Sequence, residues 1–230
     1  LCLVGSEMCI RDRPATGALR LACGSKDKKV RVFDAVSGGE ALLVLDVGSS
    51  VYALVTFEDL TTGALRLACG TGRKVCVFDP VAGGKALVVL KGHTSGVEAL
   101  TAFTDQATGE PRLVSGSRDV RVWNPAAGGA AIEAEPEGHS DEVCALLTFV
   151  DPVTSALRVA TGSRDGTIRV WDAETGGGLL VIDVGSTVKA LAFFVHPATG
   201  APRLVTSSGE VFDPVAGGEA LVVLECASAL

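Results

Sequence analysis

A hydroxyl, an imidazole and a carboxylate recur in one stretch of this 230-residue chain as Thr161, His139 and Asp165. Brought together in the right order, such groups are the parts of a hydrolase: a nucleophile, the base that takes its proton, and the acid that orients the base. Ser115, His93 and Asp119 repeat the same types earlier in the chain. A triad works only where its hydroxyl faces a substrate, and no G-x-S-x-G elbow is present to project a serine from a strand-to-helix turn. The same groups buried inside a sheet would instead satisfy one another. No catalytic residue is therefore assigned, and the chain is expected not to be an enzyme.

Other chemistry has less support. The seven cysteines form no CxxC pair and have no histidine at zinc spacing, so neither a metal site nor a cofactor is expected. The Gly-Gly pairs at 38–39, 83–84, 128–129 and 217–218 fall at one recurring position and read as turns, not as a phosphate cradle. His196-Pro197 reads as an exposed turn.

The elements that must position these groups follow from an internal repeat. An aromatic followed by Asp or Asn occurs at Phe33-Asp34, Phe78-Asp79, Trp123-Asn124, Trp171-Asp172 and Phe212-Asp213, at spacings of 45, 45, 48 and 41. An arginine between apolar or proline neighbours recurs as Arg20, Arg66, Arg112, Arg158 and Arg203, spaced 46, 46, 46 and 45. Val-x-Ala-Leu begins at Val51, Val97, Val143 and Val188. Three markers agree on one period.

Each unit reads as four strands. In the fourth, residues 142–149 alternate, with Val143, Ala145 and Leu147 on one face. Residues 157–161 and 167–171 flank the turn Ser163-Arg164-Asp165-Gly166, which has the residue types of a tight hairpin. Gly176-Gly177-Gly178 turns the chain into a last strand at 179–182. Helix-period patterning is absent. The expected fold is an all-β propeller of four-stranded antiparallel blades, about five in number, at approximately 14–46, 50–90, 96–135, 142–183 and 187–224. The first blade would be incomplete, lacking its first strand. Radial stacking would let each sheet bury both apolar faces.

Gly138-His139, followed by the run Thr161-Gly162-Ser163-Arg164-Asp165-Gly166-Thr167-Ile168-Arg169-Val170-Trp171-Asp172, resembles the WD-repeat pattern almost without a gap. Gly92-His93, Ser115 to Asp119 and Trp123-Asn124 match it less fully, and the remaining units keep Phe-Asp but lack Gly-His. The resemblance implies that His139, Thr161, Asp165 and Trp171 form a hydrogen-bonded chain inside a blade. It implies the same of His93, Ser115, Asp119 and Trp123. Cys23 and Cys69 stand where the hydroxyl belongs in the first two units, which are then expected to rely on packing.

The arginine series allows two readings: a basic ring for an acidic partner, or cross-strand pairing of Arg20 with Asp34, Arg66 with Asp79, Arg158 with Asp172 and Arg203 with Asp213. Pairing is preferred. A second basic set, Lys26, Arg73, Arg118 and Arg164, lies on the turns between second and third strands. All but Arg73 precede an aspartate that could neutralise them. The resemblance places these turns on the face that carries the loops leading into the first strands, where partner peptides dock. Tyr52, Thr94, Asp141 and Lys189, with Ser50 and Thr187, are candidate companions.

The formal net charge of −7 makes nucleic-acid binding unexpected. No apolar run approaches the ~18 residues of a membrane span, so membrane insertion is not expected. Scattered, unpaired cysteines suit a reducing compartment, so an intracellular location, cytoplasmic or nuclear, is expected. Residues 3–13, Leu-Val-Gly-Ser-Glu-Met-Cys-Ile-Arg-Asp-Arg, resemble one reading frame of a sequencing-library adapter. Residues 1–13 are accordingly expected to be an artefact, residues 14–225 the repeat domain of a chain truncated at its N-terminus, and residues 226–230 a tail.

The function expected is that of a non-catalytic scaffold presenting loops to protein or peptide partners. One rival is a propeller enzyme, which needs a convergent acidic or metal cluster. The other is a purely structural repeat of a larger protein.

Overall fold

The computed structural model describes residues 19–60, 62–132 and 138–224 in full and the backbone of 8–10 and 133–134. The rest of the adapter-like segment and the tail 226–230 lie outside the described residues. Among those described there are twenty strands and no helix. Their ranges are β1 (Met8–Ile10), β2 (Arg20–Gly24), β3 (Lys29–Asp34), β4 (Leu43–Asp46), β5 (Ala53–Asp59), β6 (Ala64–Gly70), β7 (Lys74–Phe78), β8 (Val88–Lys91), β9 (Ala99–Thr104) and β10 (Pro111–Gly116). They continue with β11 (Val120–Trp123), β12 (Glu133–Ala134), β13 (Val143–Val150), β14 (Leu157–Ser163), β15 (Thr167–Asp172), β16 (Gly178–Asp183), β17 (Leu191–Val195), β18 (Pro202–Thr206), β19 (Glu210–Phe212) and β20 (Val222–Val223). Taken four at a time in chain order, they make five sheets.

The first sheet departs from expectation. It has four strands, because Met8–Ile10 pairs antiparallel with β2 in the register Met8↔Ala22. The expectation of an incomplete first blade is corrected to that extent. The physical reason is that the free edge of β2 offers backbone donors and acceptors that any extended segment can take, whatever its side chains.

The chain divides into two compact units. One runs through Ser117 and from Arg121 to Ile132; the other holds Arg118–Val120 and everything from Glu133 onward. In the first unit the period-2 alternation of the second sheet feeds two cores at once. Leu54, Leu67, Cys69, Cys76 and Phe78 pack against Ala22, Val30, Val32 and Leu45 of the first sheet. Ala53, Val55, Phe57, Ala68, Val75 and Val77 pack against Leu100, Leu113 and Trp123 of the third. A strand buried on both faces must be apolar at nearly every position, as Val75 to Phe78 are. In the second unit, Phe149, Ala160, Ile168, Val170 and Ile182 of the fourth sheet pack against Val188, Leu204 and Phe212. The Phe149 and Phe193 rings stack there with centroids 4.9 Å apart.

The glycine pairs and the aromatic-Asp steps belong to one device. Asp34 Oδ1 accepts from the N–H groups of Val36 and Ser37, both at 2.8 Å. Asp79, Asn124, Asp172 and Asp213 hold their own turns in the same way. Gly38 and Gly39 then take φ of 64° and 87°, the left-handed region where a Cβ is strained, and the pairs at 83–84, 128–129 and 217–218 do the same.

Candidate functional site

In the fourth sheet, β14 presents Thr161, β15 presents Trp171, the β14–β15 turn presents Asp165, and the segment leading into β13 presents His139. Trp171 Nε1 donates to Thr161 Oγ1 at 3.0 Å, Thr161 Oγ1 lies 2.8 Å from His139 Nε2, and His139 Nδ1 lies 2.9 Å from Asp165 Oδ2. The directions follow from what each group can do. An ionised carboxylate only accepts, so Nδ1 carries the imidazole proton, and Nε2 of the neutral ring accepts from the Thr161 hydroxyl. Burial pulls His139 below its ordinary value of 6.5, against the upward pull of Asp165, which agrees with a neutral ring. Burial alone would raise Asp165, but hydrogen bonds from Thr167 and His139 outweigh it and its carboxyl is held below the ordinary value.

This chain has the components of a triad in the wrong surroundings. Thr161 is fully buried and His139 nearly so. The hydroxyl is held by the indole on one side and the imidazole on the other, and no substrate atom can approach it. Asp165 also accepts from the N–H of Ser140 at 2.9 Å and from Thr167, which ties the loop into β13 to the β14–β15 turn. The third sheet repeats the inner part: His93 Nε2 lies 2.5 Å from Ser115 Oγ, which accepts from Trp123 Nε1 at 2.7 Å. Asp119 is half-buried in the β10–β11 turn.

The other sheets replace the network. Val47 precedes Val51 by the interval at which His139 precedes Val143. With Cys69 and Phe78 it puts three apolar groups in one core where the fourth sheet has imidazole, hydroxyl and indole. Burial pushes the Cys69 thiol well above its ordinary value. In the fifth sheet Thr206 occupies the Thr161 position, but Val184 and Phe212 provide neither imidazole nor indole. Its hydroxyl instead bonds Glu210, which also takes the Ser208 hydroxyl. Glu210 was not apparent in the sequence because it lies at a position that is Arg31, Cys76, Arg121 or Arg169 in the other sheets.

The arginine series is consumed locally. Arg66 reaches Asp79 and Asp59, both at 3.3 Å, Arg203 reaches Asp213 at 3.0 Å, and Arg158 pairs with Asp172. Arg20 and Asp34 are direct cross-strand partners. Arg112 behaves differently, since the aromatic of its sheet, Trp123, is followed by the neutral Asn124. It pairs with Asp105 and Glu110, both at 2.9 Å, and Asn124 Nδ2 donates to Glu110 at 3.0 Å.

Within each unit, the turns after second strands share an end of the sheet with the loops leading into first strands. Ser50 Oγ donates to the Lys26 carbonyl, Val51 N–H to Ser25 and Val97 N–H to Thr71. In the second unit Arg164 N–H donates to Glu142, and Ser163 Oγ to Asp141. Lys26, Arg73, Arg118, Arg164, Thr94, Thr187 and Lys189 are exposed there, while Tyr52 and Asp141 are half-buried. Neutralisation by the following aspartate does not occur at two of these: Asp27 pairs with Arg31, and Arg164 turns to Glu142 at 3.0 Å because Asp165 is taken by His139. His196 is half-buried, and its Nδ1 accepts from Ala198 N–H at 3.3 Å, holding a turn as the aspartates do in other units. Among the described residues no cluster of three metal-ligating side chains occurs.

These features define a class: a repeat protein of four-stranded antiparallel sheets, two of them carrying an internal His–hydroxyl–Trp chain. Residues 133–172 match the family model described as WD domain, G-beta repeat. None of the curated proteins matches the chain. Among solved structures it is similar to the computationally designed Ika8 protein, with a TM-score of 0.66 and 29% identity over 90% of this chain and 58% of that one. The chain thus spans little more than half the length of that protein.

Proposed function

We propose that the chain is an arc of about five β-propeller blades serving as a non-catalytic platform for protein partners. The observation that carries this reading is the contrast between its two sets of polar groups. The set able to do acyl-transfer chemistry is buried and occupied: Thr161, His139 and Asp165 bond one another, Trp171, Ser140 and Thr167. The polar groups left to solvent include those on the turns and loops that lead into the first strands, Lys26, Arg73 and Thr94 in one unit and Arg164 and Lys189 in the other. Loops on a rigid scaffold are where recognition sits, and WD40 repeats commonly mediate protein–protein contacts.

The test is affinity capture from a cell lysate with the whole chain as bait, beside a Lys26→Glu/Arg73→Glu variant of unchanged melting temperature. Partners held by the first and released by the second support the platform. Capture of nothing above a bead control, or hydrolysis of an ester panel that disappears in His139→Ala, would overturn it.

A further inference from the structure

Lys74 and Lys91 face each other directly across β7 and β8. Like charges at directly opposite positions destabilise a sheet. The first sheet has Lys29 opposite Asp46 at the same register position, and the fourth has Thr167 opposite Asp183. The second sheet therefore replaces an acceptor with a second ammonium group. The two lysines line a cavity of about 500 Å³ together with Arg73, Ser49, Thr71 and His93. That volume lies within the range of about 300–1,000 Å³ usual for ligand sites. The lining contains no carboxylate, although Asp and Glu outnumber Lys and Arg by 27 to 20 in the chain. Arg73, Lys74 and Lys91 form no ion pair among the described residues.

From this juxtaposition we propose that the cavity binds the carboxylate side chains of an acidic segment in a protein partner. The two-residue turn Gly72-Arg73, closed by Thr71 N–H donating to Lys74 at 3.0 Å, holds the Arg73 guanidinium at the rim. Lys74 is half-buried in the wall and Lys91 exposed opposite it, so a carboxylate entering between them meets both ammonium groups and relieves their repulsion. The proposal rests on the platform reading and names the chemistry of the partner.

The test uses the whole chain and fluorescein-labelled hexaglutamate, read by anisotropy, with hexaglutamine as the neutral control. Hexaglutamate binds, hexaglutamine does not, and binding weakens from about 0.05 to about 0.3 M salt. Lys91→Asp recreates the Lys29–Asp46 arrangement. It weakens binding about tenfold or more and, without peptide, melts above the parent chain. Lys85→Asp makes the same charge change on the exposed turn between β7 and β8, outside the cavity, and stays within about twofold of the parent. Equal weakening by both variants, equal binding of the two peptides, or a lower melting temperature for Lys91→Asp with binding unchanged would overturn the proposal. Absent hexaglutamate binding with partner capture intact removes the cavity and leaves the platform; loss of both removes the platform as well.

Discussion

Thr161 and His139 lie 22 residues apart in the chain, and their Oγ1 and Nε2 atoms are 2.8 Å apart. The contact joins the segment before β13 to the middle of β14. The Asp165 end of the same chain fastens that segment to the β14–β15 turn. The first two strands of the sheet are thereby tied to the third through side chains as well as through the backbone ladder. The second sheet makes the equivalent junction from Val47, Cys69 and Phe78 without a polar atom other than sulfur.

Thr161→Val removes the hydroxyl while keeping the shape of the side chain. It leaves the Trp171 N–H and His139 Nε2 buried without partners, and a loss of about 1–3 kcal/mol is expected. Trp171→Phe, which removes one donor and retains most of the ring, should cost less than Thr161→Val. Urea denaturation of the whole chain measures both; a Thr161→Val midpoint equal to the parent's would show that the chain of hydrogen bonds contributes nothing.

Cys69→Ser tests the opposite case. Position 69 is fully buried among Val47, Leu67 and Phe78, with no imidazole or indole beside it. A hydroxyl there loses its water without the partners Thr161 enjoys, so a loss of about 1–3 kcal/mol is expected. The reverse replacement in the fourth sheet, Thr161→Cys, should also destabilise, because a thiol is a weak partner for both neighbours. Comparison of the two variants by denaturation shows whether a residue type suits its own sheet only.

Asp172 serves two masters with two oxygens: Oδ1 holds the N–H groups of Glu174 and Thr175, both at 3.0 Å, and Oδ2 faces Arg158. Asp172→Asn keeps the turn contacts, as Asn124 does naturally, and is expected to cost under about 1 kcal/mol. Asp172→Ala loses both and should cost about 1–2 kcal/mol. Equal losses in the two variants would mean that the ion pair, not the turn, matters.

Acid should weaken the fold in two stages. Burial lowers His139 in the folded state, so the unfolded chain takes the proton first. Its contribution is complete above the ordinary 6.5 and declines as pH falls below it. Asp27, lowered to about 2 chiefly by its Arg31 hydrogen bond, and Asp151, lowered chiefly by the Thr154 hydroxyl, contribute fully above the ordinary 3.8. Their contributions are lost as pH falls through their folded values. Melting temperatures should therefore decline first as pH falls below about 6.5 and again below about pH 4. His139→Gln should lack the first decline; a variant that keeps it in full would refute the assignment to His139.

Much of this was legible because the repeat is periodic. The aromatic-Asp steps, the arginines and the Val-x-Ala-Leu steps marked strand positions to within a residue or two. Glu210 was illegible, since only the register of β18 with β19 brings it beside Thr206. The choice Arg164 makes was equally hidden: sequence adjacency favoured Asp165, but a carboxylate already held by His139 and Thr167 leaves Glu142 as the partner.

The sequence alone determined which side chains could be buried and where the backbone must turn, because both depend on residue type and on neighbours only a few positions away. Tertiary structure decided which groups meet across strands. Thr161 became a structural hydroxyl because β13, β14 and β15 close around it. Lys74 and Lys91 became the walls of a cavity because antiparallel pairing sets them opposite each other, a relation that is fixed by register and not by the spacing of residues along the chain.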